Sequence, residues 1–316
     1  MIDPQAQALM QALAKLGVAS VSQVGPELAR EAYLVRKSIT QPDPVPVGEV
    51  QDFEIKGDDG HPIPVRLYRP SRPGAATTGL TVYFHGGGFV IGSIESHDVL
   101  CRQLCEASGH AVLSVDYRLA PEHPFPAAFD DCLAATRWAH SNAAQMQIDP
   151  RRIAVAGDSA GGQLAAVVAL ALRQDSKIRL AFQLLIYPIT DALMSQPSIE
   201  RNGSGYLLTK ATLEAYYGHY WPELSSRHDW RASPLLAKDL SELPAALILT
   251  AGFDPLRDEG LAYADRLSSS GVATRYVCFE RQIHGFMPMG RVIDESGLAL
   301  DLCALALAKA LTADKE

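Results

Sequence analysis

The stretch Ile153-Ala154-Val155-Ala156-Gly157-Asp158-Ser159-Ala160-Gly161 contains the turn on which the predicted fold depends. It begins with alternating β-branched and small side chains, which favour a buried strand, and residues 163–170 continue as an apolar helix. Between them lies G-x-S-x-G, whose glycines permit a turn too sharp for larger residues. The pattern alone is weakly specific. With a strand before it and a helix after it, it predicts that Ser159 is a covalent nucleophile exposed above the sheet edge.

The chain on either side alternates between strand and helix patterns. Strand patterns at 80–84, 111–115, 153–156, 181–187, 245–250 and 273–279 alternate with helical patterns at 97–108, 128–142, 163–173, 259–268 and 297–311. Such alternation predicts an α/β fold, a mostly parallel sheet with helices on both faces. Two helical patterns, at 4–16 and 25–38, come first, and an antiparallel hairpin at 50–56 and 63–68 follows them.

The alternation fails between residues 187 and 243, where tyrosines and tryptophans are concentrated. An aromatic interruption after a core strand predicts an inserted cap over the carboxyl edge of the sheet. We therefore divide the chain into N-terminal helices that join the cap (1–45), a core (46–188 and 243–316) and an inserted cap segment (189–242).

Composition excludes several classes of protein. The 316 residues are 47% hydrophobic, which suits one large globular domain with or without an insertion. A formal net charge of −8 gives no electrostatic support for binding nucleic acid or an anionic membrane. We see no signal sequence and no apolar run of the ~20 residues that span a bilayer, so we expect no stable membrane anchor.

The five cysteines predict the compartment. Their odd number and unremarkable spacing favour buried thiols in a reducing compartment, which predicts a cytoplasmic protein. Cys101 and Cys105, which share a helix face, could instead be a metal or redox pair. No H-E-x-x-H or comparable cluster occurs in the sequence, which disfavours a metal-dependent hydrolase, so we expect no metal site.

A nucleophilic serine needs a base and a group that orients the base. Among nine histidines, His284 directly follows the last strand pattern and opens a loop with a glycine, which favours it as the base. Asp254 and Asp258 both follow the strand at 245–250. Asp254 is nearer the strand end and a proline fixes the turn after it, so it is favoured as the acid. Asp258 is favoured as a first-turn residue of a helix, where the dipole stabilises a carboxylate.

An oxyanion also needs preorganised N–H donors. The segment His85-Gly86-Gly87-Gly88 follows a strand, and its glycines let the backbone approach a substrate without a Cβ in the way. We predict that Gly86, Gly87 and Gly88 donate N–H groups together with Ala160, although a flexible hinge would also explain the glycines. His85 is expected to orient this loop.

These motifs, together with the segment Asp116-Tyr117-Arg118-Leu119-Ala120-Pro121-Glu122, resemble the microbial hormone-sensitive-lipase-like carboxylesterases, bacterial lipolytic family IV. The resemblance covers about residues 50–312. It implies an α/β-hydrolase fold with a helical cap. It also implies a cofactor-free serine esterase that acts on short- to medium-chain esters and water, with Ser159, Asp254 and His284 as its triad. Arg118 and Glu122 resemble buttressing members of the 116–122 loop.

The substrate pocket is less well defined by the sequence. The cap aromatics could line it or pack in a small core of the cap, and Glu280-Arg281 departs from the family pattern by placing charge near the mouth. A homodimer through the edge strand at 273–279 is a further expectation. The candidates for substrate contact are Phe89, Asp158, Tyr187, Tyr206, Leu207, Leu208 and Ile283.

Other functions remain open at this point. An amidase, or an aryl-ester or lactone hydrolase, would use the same residues. A non-catalytic ligand receptor is a further alternative, because the plant gibberellin receptors resemble these esterases. Those receptors lack the catalytic histidine, whereas His284 is present here, which disfavours the receptor.

Overall fold

An eight-stranded sheet forms the centre of the computed structural model, which describes residues 1–17, 21–72 and 78–312. Its strands are β1 (Glu49–Lys56), β2 (Pro62–Arg69), β3 (Thr78–Phe84), β4 (Ala111–Val115), β5 (Ile148–Asp158), β6 (Phe182–Ile186), β7 (Ala245–Phe253) and β8 (Thr274–Ile283). They are ordered β1-β2-β4-β3-β5-β6-β7-β8. The β1–β2 hairpin pairs antiparallel with β4, and all other neighbours are parallel. The predicted mostly parallel sheet is confirmed.

Helices cover both faces of this sheet. They are α1 (Pro4–Lys15), α2 (Val21–Val24), α3 (Pro26–Thr40), α4 (Ile94–Ser108), α5 (Ala127–Ser141), α6 (Ala160–Leu172), α7 (Pro197–Arg201), α8 (Lys210–Tyr220), α9 (Arg257–Ser269) and α10 (Glu295–Leu311). Successive side chains of β3 enter opposite cores: Val82 and Phe84 pack with α5, α6 and α9, whereas Tyr83 packs with α4 and α10. Because both faces of the central strands are covered, these strands are mostly apolar along their whole length, which is the pattern that the sequence shows.

Local capping sets several boundaries that hydrophobic patterning misses. The helix expected at 97–108 begins at Ile94, because the Ser93 hydroxyl accepts a bond from the Ser96 N–H. It ends at Gly109, whose φ of 72° suits a glycine. At the other side of the sheet, β8 runs past the predicted residue 279 to Ile283, which pairs with Phe253 of β7. These extensions carry β7 and β8 to the edge where Asp254 and His284 follow them.

The predicted cap segment contains α7, α8 and two short 3₁₀ turns, Leu224–His228 and Pro234–Leu236. The buried side chains of α8 share a core cluster with α3, while those of α1 belong to the cluster of α4 and α10. Tyr217, Tyr220 and Trp221 are buried against one another, which explains the local excess of aromatic residues by packing.

Two expectations from the sequence concern a membrane span and a metal or redox pair. Within 1–17, 21–72 and 78–312, none of the helices combines the length and apolar character that crossing a bilayer requires. All five cysteines are free thiols, and Cys101 and Cys105 are buried. No group of three or more potential metal ligands lies together in this described part of the chain.

Candidate active site

Ser159 lies at a sharp turn between the end of β5 and the first residue of α6. Its φ of 57° and ψ of −117° are unusual for a residue with a side chain, and its N–H donates to the Ile186 carbonyl at 2.8 Å. A Cβ on Gly157 would lie 2.6 Å from the Phe84 carbonyl oxygen, and one on Gly161 would lie 2.7 Å from that of His85. The glycines of the pattern are therefore required by close backbone approach.

A continuous chain of hydrogen bonds connects Ser159 to a buried carboxylate. The Oγ of Ser159 lies 2.9 Å from Nε2 of His284, and Nδ1 of His284 lies 2.7 Å from Oδ2 of Asp254. Asp254 is fully buried, and its Oδ1 accepts the Leu256 N–H at 2.8 Å. Because an ionised carboxylate only accepts hydrogen bonds, Nδ1 carries the proton and Nε2 is free to accept one from Ser159.

Asp258, the alternative acid, lies elsewhere. It falls in the first turn of α9, where its Oδ1 accepts a bond from Arg257 at 2.8 Å. Its backbone N–H donates to the Ser198 hydroxyl at 3.0 Å. Of the two aspartates, only Asp254 reaches His284 in the described structure.

The glycine loop presents two N–H groups rather than three. The N–H of Gly86 donates to Oδ1 of Asp158 at 2.9 Å, so the prediction that Gly86 is an oxyanion donor is wrong. Gly87 and Gly88 have φ values of 133° and 60° and line the cavity beside Ser159. Among the described hydrogen bonds, none uses the N–H of Gly87, Gly88 or Ala160. These three groups are available to a ligand.

His85 supports this loop from beneath. Its ring stacks on Tyr117 at 4.2 Å between centroids, and its Nδ1 lies 2.9 Å from the Gly86 carbonyl oxygen. The Tyr117 hydroxyl donates to the His85 carbonyl at 2.6 Å. Burial, aided by the neighbouring His97, lowers the pKa of His85 to about 4, so the ring is neutral near pH 7. His85 contacts the loop and not Ser159.

Sequence reasoning missed His97, which lies behind the same loop. His97 Nε2 is 3.2 Å from Asp158 Oδ1, which also accepts the Tyr83 hydroxyl at 2.8 Å. Burial alone would raise the pKa of Asp158, but His97, Lys37 and the Tyr83 hydroxyl together hold it well below its usual value. Asp158 is thus a fixed anion that positions Gly86. The available signal was helical spacing, since His97 shares the buried face of Leu100, Cys101 and Leu104.

A cavity of about 110 Å³ opens beside Ser159 and His284. Tyr33, Arg36 and Lys37 of α3 form one wall. Leu208 and Tyr216 of the predicted cap segment form another wall. The sequence assigned the N-terminal helices to the cap but did not indicate which side chains of α3 would line the cavity, because its apolar pattern is that of any amphipathic helix.

This arrangement can be compared with known proteins. A family model described as α/β-hydrolase fold matches residues 81–288. An ethyl acetate hydrolase of Pseudomonas putida is 41% identical over 296 residues, covering 91% of this chain and 93% of its own. The chain belongs to the hormone-sensitive-lipase-like α/β hydrolases.

Two further relatives extend this comparison. A carboxylesterase of Mycobacterium tuberculosis is 39% identical over 292 residues, covering 92% of this chain and 91% of its own. The crystal structure of an α/β-hydrolase enzyme from the metagenome of Lake Arreo has a TM-score of 0.93 and 42% identity, and the match covers 98% of both chains. The fold and the family predicted from the sequence motifs are confirmed.

The predicted substrate contacts of this α/β hydrolase fall into two groups. Asp158, Leu207 and Leu208 line the cavity. Phe89 does not, because its ring is fully buried and stacks on Tyr220 at 4.1 Å between centroids.

The other three candidates also lie outside the cavity lining, which corrects the prediction. Tyr206 packs on Phe253, 5.1 Å between centroids, and Ile283 is buried where β8 ends. Tyr187 is fully buried with its ring 4.7 Å from that of His284, so it supports the histidine. Tyr187 and Ile283 lie beside His284, and Tyr206 packs on the residue that precedes Asp254, but none of the three lines the cavity.

The cationic side chains that line the cavity of this hydrolase belong to α3 and not to the end of β8. Glu280 and Arg281 are exposed near the end of β8 and do not line it, so the expectation that they charge the mouth is wrong. Arg36 and Lys37 of α3 do line it. The difference arises because α3 folds back over the sheet edge, a long-range contact that no local motif records.

Ion pairs hold the 116–122 segment of this hydrolase in place. Arg118 donates to Asp131 of α5 at 2.7 Å. Glu122 accepts a bidentate pair from Arg30 of α3, at 2.8 and 2.7 Å. Arg30 also donates to the carbonyl of Val90, just after the glycine loop, at 2.8 Å. One arginine therefore connects the cavity wall of α3 to both loops.

Proposed function

We propose that this chain is a serine carboxylesterase that hydrolyses short- to medium-chain esters through an acyl-enzyme. The observation that carries the proposal is the hydrogen-bonded series Ser159–His284–Asp254 beside a cavity with uncommitted N–H groups. Membership in a family whose relatives include an ethyl acetate hydrolase and a carboxylesterase supports it. The substrates are small-molecule esters and water.

Acylation follows from the geometry of the three side chains. Ser159 Oγ attacks the ester carbonyl carbon as its proton passes to His284 Nε2. Asp254 holds the Nδ1–H tautomer and stabilises the imidazolium. The N–H groups of Gly87, Gly88 and Ala160 bind the oxyanion. The imidazolium then gives its proton to the leaving alkoxide, the ester C–O bond breaks, and the alcohol departs.

Deacylation repeats the same proton movements with water. His284 takes a proton from water as the water oxygen attacks the acyl carbonyl on Ser159. The second oxyanion binds the same N–H groups. Its collapse breaks the acyl–Oγ bond, and the proton held by His284 returns to Oγ. No step requires a cofactor.

The organisation of the chain is part of this proposal. We assign residues 46–188 and 243–316 to the catalytic core, and residues 1–45 and 189–242 to a cap that closes the substrate cavity. The lining residues contributed by α3 and by 207–216 support this division. The five free cysteines support a cytoplasmic location, and the net charge of −8 supports the absence of nucleic-acid binding and of stable membrane anchoring.

A homodimer through the edge strand at 273–279 is a separate part of the proposal. β8 is the last strand in the sheet order and its residues are half-exposed, which leaves its outer edge open to strand pairing. Sedimentation equilibrium at micromolar concentration is expected to give twice the chain mass of 34.1 kDa. A monomer would contradict this assignment and leave the catalytic proposal intact.

A substrate panel tests the activity itself. We expect p-nitrophenyl esters from acetate to palmitate to give the highest kcat/KM at short to medium chain lengths. The matched p-nitroanilide should react far more slowly. Faster turnover of the anilide would favour an amidase, and no turnover of any ester would contradict the proposal.

Enlarging Leu208 is expected to shift acyl-chain preference. Leu208 is 8% exposed and lines the cavity, so the larger side chain of Leu208→Phe should shorten the cavity. We expect kcat/KM for the octanoate ester to fall about 10-fold relative to the acetate ester, in line with the effect of one methylene in a tight pocket. Leu224→Phe, at an exposed position outside the cavity, is the matched control. An unchanged chain-length profile would show that Leu208 does not limit the acyl group.

A further inference from the structure

Lys37 carries a buried amine in the substrate cavity. This amine takes no part in the proton transfers proposed for Ser159, His284 and Asp254. The Lys37 side chain is 5% exposed, and it lines the cavity that contains Ser159 and His284. Its Nζ has no hydrogen-bond partner among the described residues and lies 5.2 Å above the ring centroid of Tyr33. Leaving a buried ammonium without a hydrogen-bond acceptor is strongly unfavourable, so its position calls for an acceptor that enters the cavity.

The neighbouring acid does not supply that acceptor. Asp158 is the only acidic residue among the described lining residues. Its Oδ1 binds the Tyr83 hydroxyl at 2.8 Å, the Gly86 N–H at 2.9 Å and the His97 ring at 3.2 Å, and its Oδ2 lies 3.4 Å from the same ring. Lys37 Nζ is hydrogen-bonded to neither oxygen. A lysine whose role was to neutralise Asp158 would be expected to bond to it. Lys37 contributes only longer-range attraction.

A second cation lies next to Lys37. Arg36 also lines the cavity, with its guanidinium 4.8 Å from the Tyr33 ring centroid. Two cationic side chains therefore meet in one wall of a cavity, although the chain as a whole carries a net charge of −8. The other residues of α3 that line the cavity, Ala29, Ala32, Tyr33 and Thr40, supply no compensating anion.

We propose that Lys37, with Arg36 beside it, forms a carboxylate subsite in the substrate cavity, so that the enzyme accepts esters bearing a second, free carboxylate. Half-esters of dicarboxylic acids are the simplest members of this class. The ammonium donates to the substrate carboxylate while the ester carbonyl lies against Ser159. This inference rests on the proposed esterase activity. It adds a free carboxylate to the description of the substrate, in the portion that does not react.

Charged and neutral substrates of equal shape test the subsite. Monoethyl glutarate is compared with ethyl 5-methylhexanoate, in which an isopropyl group replaces the acyl-side carboxylate. 3-Acetoxypropanoate is compared with isopentyl acetate, which does the same on the alcohol side. The preference is the ratio of kcat/KM for the charged ester to that for its neutral counterpart. The pair that shows the preference identifies the side of the ester that faces Lys37.

Replacing the amine should remove this preference. In Lys37→Met we expect the ratio to fall about 10- to 100-fold, the effect of one hydrogen bond to a charged group. The neutral esters provide the internal reference for the ratio, and Lys37→Arg should retain much of the preference. Lys15→Met, at an exposed position on α1, is the matched control. If Lys37→Met leaves the ratio unchanged while neutral esters are still hydrolysed, the subsite is wrong and the esterase proposal stands.

A binding measurement separates the two proposals. Calorimetric titration of monoethyl glutarate into Ser159→Ala, with and without Lys37→Met, needs no turnover. Weaker binding to the double variant supports the subsite even if the wild-type enzyme hydrolyses none of the four esters, a result that would overturn the esterase activity. Equal binding to both proteins overturns the subsite.

The pH dependence of the preference is a readout that a structural role for Lys37 would not change. Burial lowers the pKa of Lys37 to about 7, against the raising effect of Asp158. The lysine is charged below that value, so the preference should be largest below pH 7 and fall toward pH 9. Titration of the triad cancels in the ratio, and kcat/KM reports the free enzyme. A ratio that is equal at pH 6 and pH 9 overturns the assignment to Lys37.

Other groups that face Lys37 do not produce the same profile. Burial lowers the pKa of His97 and raises that of Cys101 and Tyr33, so the latter two stay neutral across this range. The charged and titratable groups around Lys37 are Tyr33 and Arg36 of α3, His97 and Cys101 of α4, Asp158 at the end of β5, Tyr216 of α8 and His284.

Discussion

Replacing Ser159 with alanine is expected to lower kcat for short-chain ester hydrolysis by about 10⁴- to 10⁶-fold, because covalent catalysis is lost while cavity and N–H donors remain. Ser159 Oγ is the only atom of the turn in hydrogen-bond contact with His284 among the described residues. The variant should melt within about 2 °C of wild type, since removing one small hydroxyl that borders the cavity changes the packing little. Initial rates with p-nitrophenyl acetate and a thermal melt measure both quantities.

Covalent labelling shows directly which residue is the nucleophile. An organophosphonate should modify the wild-type chain once, and the modified peptide should contain Ser159. The Ser159→Ala variant should resist modification. Ser225→Ala, an exposed position on the 3₁₀ turn of the cap, is the control and should behave as wild type. Undiminished hydrolysis by Ser159→Ala would show that another residue attacks the ester. A wild-type chain that is neither labelled nor active would favour the ligand receptor.

Replacing Asp254 with asparagine is expected to lower kcat by about 10³- to 10⁴-fold, because an amide no longer selects the Nδ1–H tautomer or stabilises the imidazolium. The substitution changes the 2.7 Å hydrogen bond between His284 Nδ1 and Asp254 Oδ2. The Oδ1 bond to the Leu256 N–H can be kept by the amide oxygen, so the turn should remain folded.

Asp258 offers a matched control for this substitution. It is four residues further along and bonds to Arg257 at the start of α9. Asp258→Asn should keep kcat within about 3-fold of wild type, because its partly exposed ion pair with Arg257 does not involve His284 or Ser159. Measuring kcat for both variants on one ester decides between the two aspartates. A larger loss in Asp258→Asn than in Asp254→Asn would reverse the assignment.

Much of the fold was predictable because its signals are local. Each central strand carries a run of apolar residues, and the G-x-S-x-G turn joins a strand to a helix within ten residues. The triad candidates were predictable for a related reason: Asp254 and His284 each directly follow a strand, and parallel strands bring their carboxyl ends to one edge.

The remaining features depend on contacts between distant segments. Gly86 looked like an oxyanion donor, but its N–H is taken by Asp158, 72 residues further along. His97 looked like an ordinary helical residue until the fold brought it to the same carboxylate. Lys37 carried no motif at all. Its burial results from α3 lying over the cavity, a placement fixed by Arg30 and Glu122.

The attachment of α3 has a consequence for how such enzymes diversify. The helix precedes every strand in the chain, and the bidentate pair of Arg30 with Glu122 joins it to the 116–122 loop. During evolution, this one helix can therefore be replaced or mutated. Such a change alters a whole wall of the cavity without altering the sheet that aligns the reacting groups. Selectivity and chemistry are encoded in separable parts of the sequence, which lets one change while the other is preserved.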